Sequence, residues 1–188
     1  MQLNERYLDY CLINISENFI KKNQNPLLAD KVFRELQIEK LISLHSNLKE
    51  DLKIVGIDYA KIGDTFEKFE KSFLIYLRVV PKSHDIAQFI EYEMNDECRT
   101  AVKVMTEDSM KSDLNKERRD TLPELMYRIT EVFIRIPLIL NNVAKDARKA
   151  GELRVEKTAL RAHYIMHNMM KQIDKLCEHR KNMKDIDS

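Results

Sequence analysis

Residues 121–149 read TLPELMYRITEVFIRIPLILNNVAKDARK, and this stretch decides the fold. It predicts one long helix. Thr121 followed three residues later by Glu124 forms a capping box, and Pro123 falls in the first turn, where a missing N–H costs little. Arg148 and Lys149 complement the carbonyl end, and Gly151 lies just beyond it. Apolar residues recur at Leu122, Leu125, Met126, Ile129, Phe133, Ile136, Leu140, Val143, Ala144 and Ala147, the spacing of one buried stripe. The opposite stripe carries Glu124, Arg128, Glu131, Arg135, Leu138, Asn142, Lys145 and Lys149, with Ile134 and Leu138 as aliphatic interruptions of a charged face. Pro137 removes one backbone donor in mid-helix and predicts a bend or a local loosening. At 1.5 Å per residue such a helix spans roughly 40 Å, enough to be the spine of a domain and to offer a whole side to a partner.

Outward from this helix, the composition is that of a helix-rich chain. The 188 residues fit one domain over 1–188, 34% are charged and 44% hydrophobic, and there are only three Gly and four Pro. With 32 basic and 31 acidic residues the net charge is +1, so no global field favours nucleic acid or a membrane surface. Cys11, Cys98 and Cys177 are odd in number and far apart, which reads as reduced thiols in a cytoplasmic protein. No apolar run reaches the about 18 residues that a membrane span needs, and no signal peptide opens the chain.

Taken in order, a first helix is expected from Asn4 or Glu5 to Lys22, with Leu8, Cys11, Leu12, Ile15, Phe19 and Ile20 as its apolar stripe. Pro26 ends the break at Asn23–Pro26, and Asp30 is expected to cap a second helix to about Lys53. The stretch from Ile54 to Tyr59, with Gly56, is a short connection. Ile62-Gly63-Asp64 opens a third helix through Phe66, Phe69, Phe73, Leu77 and Val80, Pro81 and Ser83 punctuate it, and a fourth runs from His84 to about Val104. Met105 to Asp120 is polar and mixed in sign and reads as one helical turn followed by loop. After the long helix, Leu153 to Lys181 forms the last one, on Val155, Ala159, Ala162, Met166, Met169, Met170, Ile173, Leu176 and Cys177. The expected fold is all-α: an elongated bundle of about six helices whose two C-terminal members are long.

The usual chemical signatures are missing. Three scattered glycines build no phosphate-cradling loop, and no G-x-S-x-G, C-x-x-C or H-E-x-x-H occurs. His163 and His167 have the spacing of a metal pair, but no helix supplies an obvious third or fourth ligand. They read as a core-edge residue and a solvent-facing one, and no metal or other cofactor is expected. What remains is function through binding.

Four segments together resemble the Dbl-homology (DH) domain of Rho-family guanine-nucleotide exchange factors. ERYLDYCLINISENF is similar to the family's opening helix, with Glu5 on its glutamate and Phe19 on its phenylalanine. IEKLISLHSNLKEDL matches its next run through Leu41, Ile42, His45, Leu48 and Leu52, and IGDTFEKFEKSFLIYL matches the Ile-Gly-x-x-Phe segment through Ile62, Gly63, Phe66 and Tyr76. LPELMYRITEVFIRIPLILNNVAK resembles the signature helix at Leu125, Met126, Phe133, Arg135, Pro137, Leu138, Ile139 and Leu140. The segments stand in the family's order and cover nearly the whole chain. Departures are Ile129-Thr130-Glu131-Val132 where the family has Pro-Val-Gln-Arg, Leu8 and Ile136 where it has tyrosines, and Asp174 where it has asparagine.

The resemblance implies an exchange factor that makes and breaks no covalent bonds. It binds a Rho-family small GTPase (Rho, Rac or Cdc42 type) at its switch regions and favours the nucleotide-free state, so GDP leaves faster. It implies GTPase contacts by Glu5, Arg135 and Asp174, with Leu8, Leu138 and Asn142 on the same surface. It also implies an adjoining membrane-binding domain in a longer protein, through which a cytoplasmic protein reaches the membrane or cell cortex. An aspartate has no donor to offer where an asparagine would donate to a carbonyl. A second reading therefore stands beside the first: a DH-like scaffold that binds a GTPase or another protein without promoting exchange. An unrelated six-helix bundle is the third.

Overall fold

The computed structural model describes residues 2–56 and 58–186, with side chains described for 8–56, 58–83, 85–180 and Asn182. Among the described residues every regular element is helical. In chain order they are α1 (Gln2–Asn14) continuing as a π-helical Ile15–Ile20, then α2 (Pro26–Leu28), π-helical Ala29–Phe33, α3 (Arg34–Leu36) and α4 (Ile38–Val55). A 3₁₀ turn at Tyr59–Lys61 leads to α5 (Ile62–Phe73), α6 (Tyr76–Gln88), π-helical Phe89–Glu93 and α7 (Asp96–Lys111). The chain closes with α8 (Leu122–Lys149) and α9 (Leu153–Ile186), 28 and 34 residues long.

Helix boundaries correct the sequence reading in several places. The second helical stretch starts at Pro26, not Asp30, because Asn25 is extended and its side-chain oxygen accepts from the N–H groups of Leu27 and Leu28 at 3.0 and 3.1 Å. It is then interrupted at Gln37, which takes a left-handed conformation with φ 46°. Ile54 and Val55 finish α4 instead of opening the connection. The third and fourth expected helices are three, since the break falls at Leu74–Ile75 and again at Met94–Asn95, where Asn95 caps α7 through the Cys98 N–H at 2.8 Å. Pro81 does not punctuate: it sits inside α6, where it merely brings no N–H to the carbonyl of Leu77. The turn expected after Met105 is longer and continuous with the preceding helix, as α7 runs to Lys111.

The chain divides into two compact units, one of Leu44–Pro81 with Phe133–Ser188 and one of Gln2–Ser43 with Lys82–Val132. In the first, α5 packs along α9. Phe66, Phe73, Tyr76, Phe133, Leu140, Ala159, Ala162, Met166 and Ile173 are buried there. Tyr76 stacks on Phe133 with ring centroids 3.7 Å apart, and Phe73 lies 6.3 Å from the same ring. His45 meets Tyr76 edge-on and hydrogen-bonds its hydroxyl through Nε2, so the one polar atom of that aromatic cluster is partnered. Burial drives the Tyr76 hydroxyl pKa upward, keeping it protonated. Gly63, second residue of α5, permits the close approach to α9: a Cβ there would meet the Thr158 carbonyl oxygen at 2.8 Å. Arg161 of α9 ion-pairs with Asp64 beside it and with Glu67 at 3.5 Å.

The second unit surrounds the stripe expected on α1, in which Leu8, Cys11, Leu12, Ile15 and Phe19 are all buried. Burial, with Asp120 nearby, pushes the Cys11 thiol up to about 12, so it is an inert core group. α7 packs on the π-helical Ile15–Ile20. Beneath it runs a buried polar chain that the sequence did not announce. Asn18 donates to Asn14 at 2.8 Å, Ser109 donates to the same Asn14 oxygen at 3.1 Å, and Asn115 donates to Ser109 at 2.9 Å. Asn115 also clasps Asp120, donating to its carbonyl at 2.8 Å and accepting from its N–H at 2.9 Å. Tyr10 completes the set, its hydroxyl 2.7 Å from Asn115 Oδ1 and 3.0 Å from Asp120 Oδ2. These bonds fix the non-helical stretch that delivers the chain to α8.

Candidate functional site

The start of α8 makes one half of the expected capping box, with the Thr121 hydroxyl turned to the Glu124 carboxylate. Glu124 accepts from the Thr121 N–H at 2.7 Å and from the Thr121 hydroxyl at 2.8 Å, and these bonds hold its carboxyl below the usual range. At the far end, Glu152 N–H bonds the Ala147 carbonyl and Gly151 N–H bonds that of Arg148, with Gly151 at φ 76°. This pair of bonds is the Schellman motif.

Between those caps the two stripes of α8 separate, with Ile136 and Val143 of the expected buried stripe only half-buried. Leu122, Leu125, Met126, Ile129, Phe133, Leu140, Ala144 and Ala147 are buried. Arg135, Leu138 and Asn142, at helical spacing of three and four, are exposed together on the opposite side. Leu138 is 62% and neighbouring Ile134 44% exposed, so this face combines a guanidinium, an amide and bare aliphatic surface. Such a mix suits a protein partner better than a small molecule, because a flat surface can bury Leu138 while Arg135 and Asn142 fix orientation by hydrogen bonds. Pro137 points inward and its carbonyl accepts from His163 Nδ1 at 2.9 Å, which ties this part of α8 to α9.

The other expected contact residues fall differently. Asp174 is exposed on α9. Glu5 belongs to α1 by its backbone, and its side chain lies outside the described residues. Leu8 is 1% exposed and belongs to the core of its unit, so a partner has no access to its side chain. It follows the α1 apolar stripe rather than a binding surface. The segment Ile129-Thr130-Glu131-Val132 also changes meaning: Ile129, Thr130 and Val132 are buried and only Glu131 is exposed. Thr130 reaches Ser83 at 3.4 Å through the two hydroxyls. Most of that departure therefore concerns packing. Leu176, expected in the core, is 40% exposed.

Among the described residues no group of three or more His, Cys, Asp or Glu is placed to hold a metal, and no helix is long and apolar enough to cross a membrane.

No protein-family model matches the chain. No curated protein matches it in sequence either. A match comes from solved structures: a structure of the Vav1 exchange factor, reported as "Critical structural role for the PH and C1 domains of the Vav1 exchange factor", superposes with a TM-score of 0.81. The fold is DH-like. The superposition covers 98% of this chain and 49% of that one, so the chain matches about half the length of the Vav1 structure, at 20% sequence identity. At this identity the likeness is one of fold alone.

Proposed function

We propose that this chain is a guanine-nucleotide exchange domain that engages the switch regions of a Rho-family small GTPase and accelerates GDP release. The observation that carries the reading is the DH-like fold over 98% of the chain, matched to an exchange factor. The α8 surface supports it. Arg135 offers a charge-assisted fork to a switch-region carbonyl or carboxylate, Leu138 supplies buried apolar area, and Asn142 supplies an adaptable amide. Glu5 and Asp174 complete the proposed contact set, and Leu8 is left out because it is buried. Exchange in such a site is differential binding: contacts that favour the nucleotide-free GTPase lower the barrier to nucleotide loss.

The test is release of a fluorescent GDP analogue from Rho, Rac and Cdc42 proteins, with wild type beside Glu5→Ala and Arg135→Ala. Acceleration by wild type is expected. Loss of one hydrogen bond to a charged group, about 1.5–3 kcal/mol, slows it by roughly 10- to 100-fold in each variant. A folded wild-type protein that accelerates none of them overturns the reading. Asp174 favours a second one, a scaffold that binds the GTPase without releasing nucleotide, since a carboxylate repels the carbonyl an amide would bond. Stable complex formation without acceleration, with exchange restored by Asp174→Asn, distinguishes a surface defect from a general lack of activity.

A further inference from the structure

His163 and His167 lie one turn apart on α9, the spacing that sets two imidazoles on one helix face. Their rings are 5.5 Å apart between centroids and within 14° of parallel. His163 is half-buried and His167 exposed, as the sequence reading has it. What the sequence could not show is the 2.9 Å contact of His163 Nδ1 with the Pro137 carbonyl oxygen. A carbonyl only accepts, so Nδ1 carries the hydrogen, and the neutral ring is the tautomer whose Nε2 holds an open lone pair. One nitrogen donating to a backbone carbonyl while the other stays bare is how metal-ligating histidines are oriented.

We propose that His163 and His167 form a chelating site for a first-row divalent transition metal, with zinc as the representative ion and water completing its coordination. Imidazole donors select zinc, copper or nickel over calcium and magnesium, which need oxygen cages. Among the described residues no third His, Cys, Asp or Glu joins the pair, so the ion is exchangeable and not a permanent structural one. Closing the chelate requires the exposed His167 ring to turn until its Nε2 and that of His163 face one ion at about 2.0–2.1 Å, a side-chain adjustment within ordinary rotamers that leaves His163 on the Pro137 carbonyl. Because His163 is already bonded to Pro137, the bound ion holds α9 against α8 one residue from Leu138. The chelate rests on this contact and on the one-turn spacing of the two rings, independently of the exchange reading.

Calorimetric titration of the full chain with Zn²⁺ tests it, comparing wild type with His163→Asn, His167→Ala and Cys177→Ser, together with the thermal midpoint of each in saturating Zn²⁺. Asparagine keeps an N–H donor near the Nδ1 position, so the Pro137 carbonyl stays bonded while the Nε2 ligand is gone. His167 is exposed, which makes its alanine variant safe for folding. Wild type should bind Zn²⁺ and gain thermal stability from it. Each histidine variant should bind at least about tenfold more weakly and gain nothing, while Cys177→Ser behaves as wild type. Absence of binding to wild type, undiminished binding by either histidine variant, or loss in Cys177→Ser instead overturns the proposal.

Discussion

Gly63 offers the sharpest test of how α5 is seated on α9. A Cβ at this position would lie 2.8 Å from the Thr158 carbonyl oxygen and 3.0 Å from both Nε and Nη2 of Arg161. The guanidinium can swing away, since its partners Asp64 and Glu67 are on the surface, with 72% and 59% of their side chains exposed. The Thr158 oxygen cannot, because it belongs to the backbone of α9. Gly63→Ala must therefore push the two helices apart by a few tenths of an ångström, and overpacking of this kind costs about 1–3 kcal/mol. Alanine returns up to about 1 kcal/mol through helix propensity, less at the second helical position, so a net loss of about 1–2 kcal/mol is expected. For a chain of this size that lowers the thermal midpoint by roughly 2–8 °C. Scanning calorimetry beside Gly56→Ala gives the comparison, because the nearest atom there is the Lys53 carbonyl at 3.3 Å and a change within about 0.5 kcal/mol is expected. Adding Arg161→Ala to the Gly63→Ala protein should recover little, as the backbone contact persists. The reasoning fails if Gly63→Ala is as stable as wild type, or if removing the Arg161 side chain restores full stability.

Three other outcomes follow from the same geometry. Gly151→Ala should cost about 1–2 kcal/mol by urea unfolding purely through its backbone, since φ is 76° and no atom lies within 4 Å of the added carbon. Asn115→Ala leaves the buried Asp120 N–H and carbonyl without their side-chain partner, while Ser109 keeps Asn14 and Tyr10 keeps the Asp120 carboxylate, and should destabilise by about 2–4 kcal/mol; an effect below about 1 kcal/mol, read by denaturant midpoint, would show that water replaces the amide. Glu124 has a lowered pKa when folded, so its contribution is present above the unfolded carboxyl value of about 4.3 and disappears as pH falls through the folded value. Glu124→Gln should accordingly differ from wild type by about 0.3–1 kcal/mol near neutral pH, with the difference shrinking on acidification in a stability–pH titration.

The α8 reading was legible because every signal in it is local. A capping box, a 3.6-residue apolar stripe and a glycine just past the end depend on residues within one or two turns, and the structure has half of the box at Thr121–Glu124, most of the stripe along Leu122–Ala147 and the glycine cap at Gly151. The stripes of α1 and α5 are decided in the same way. From such stripes and their order came the all-α fold and its DH-like likeness.

Tertiary structure decided what local pattern leaves open. Helix breaks at Gln37, Leu74–Ile75 and Met94–Asn95 depend on where packed neighbours demand a change of direction, and Pro81 stays helical at the loss of a single donor. Asn14, Asn18, Ser109 and Asn115 are polar residues at buried positions, and only the meeting of segments about ninety residues apart in sequence, with Ser109 bonded to Asn14, supplies the partners that make their burial tolerable. The same holds for the candidate surface. Sequence alone put Leu8 both in an apolar stripe and on a binding face, and burial settles it as core. Arg135, Leu138 and Asn142 remain outside because the opposite stripe of α8 has a core to enter, whereas exposure of a side chain is a property of everything packed around it.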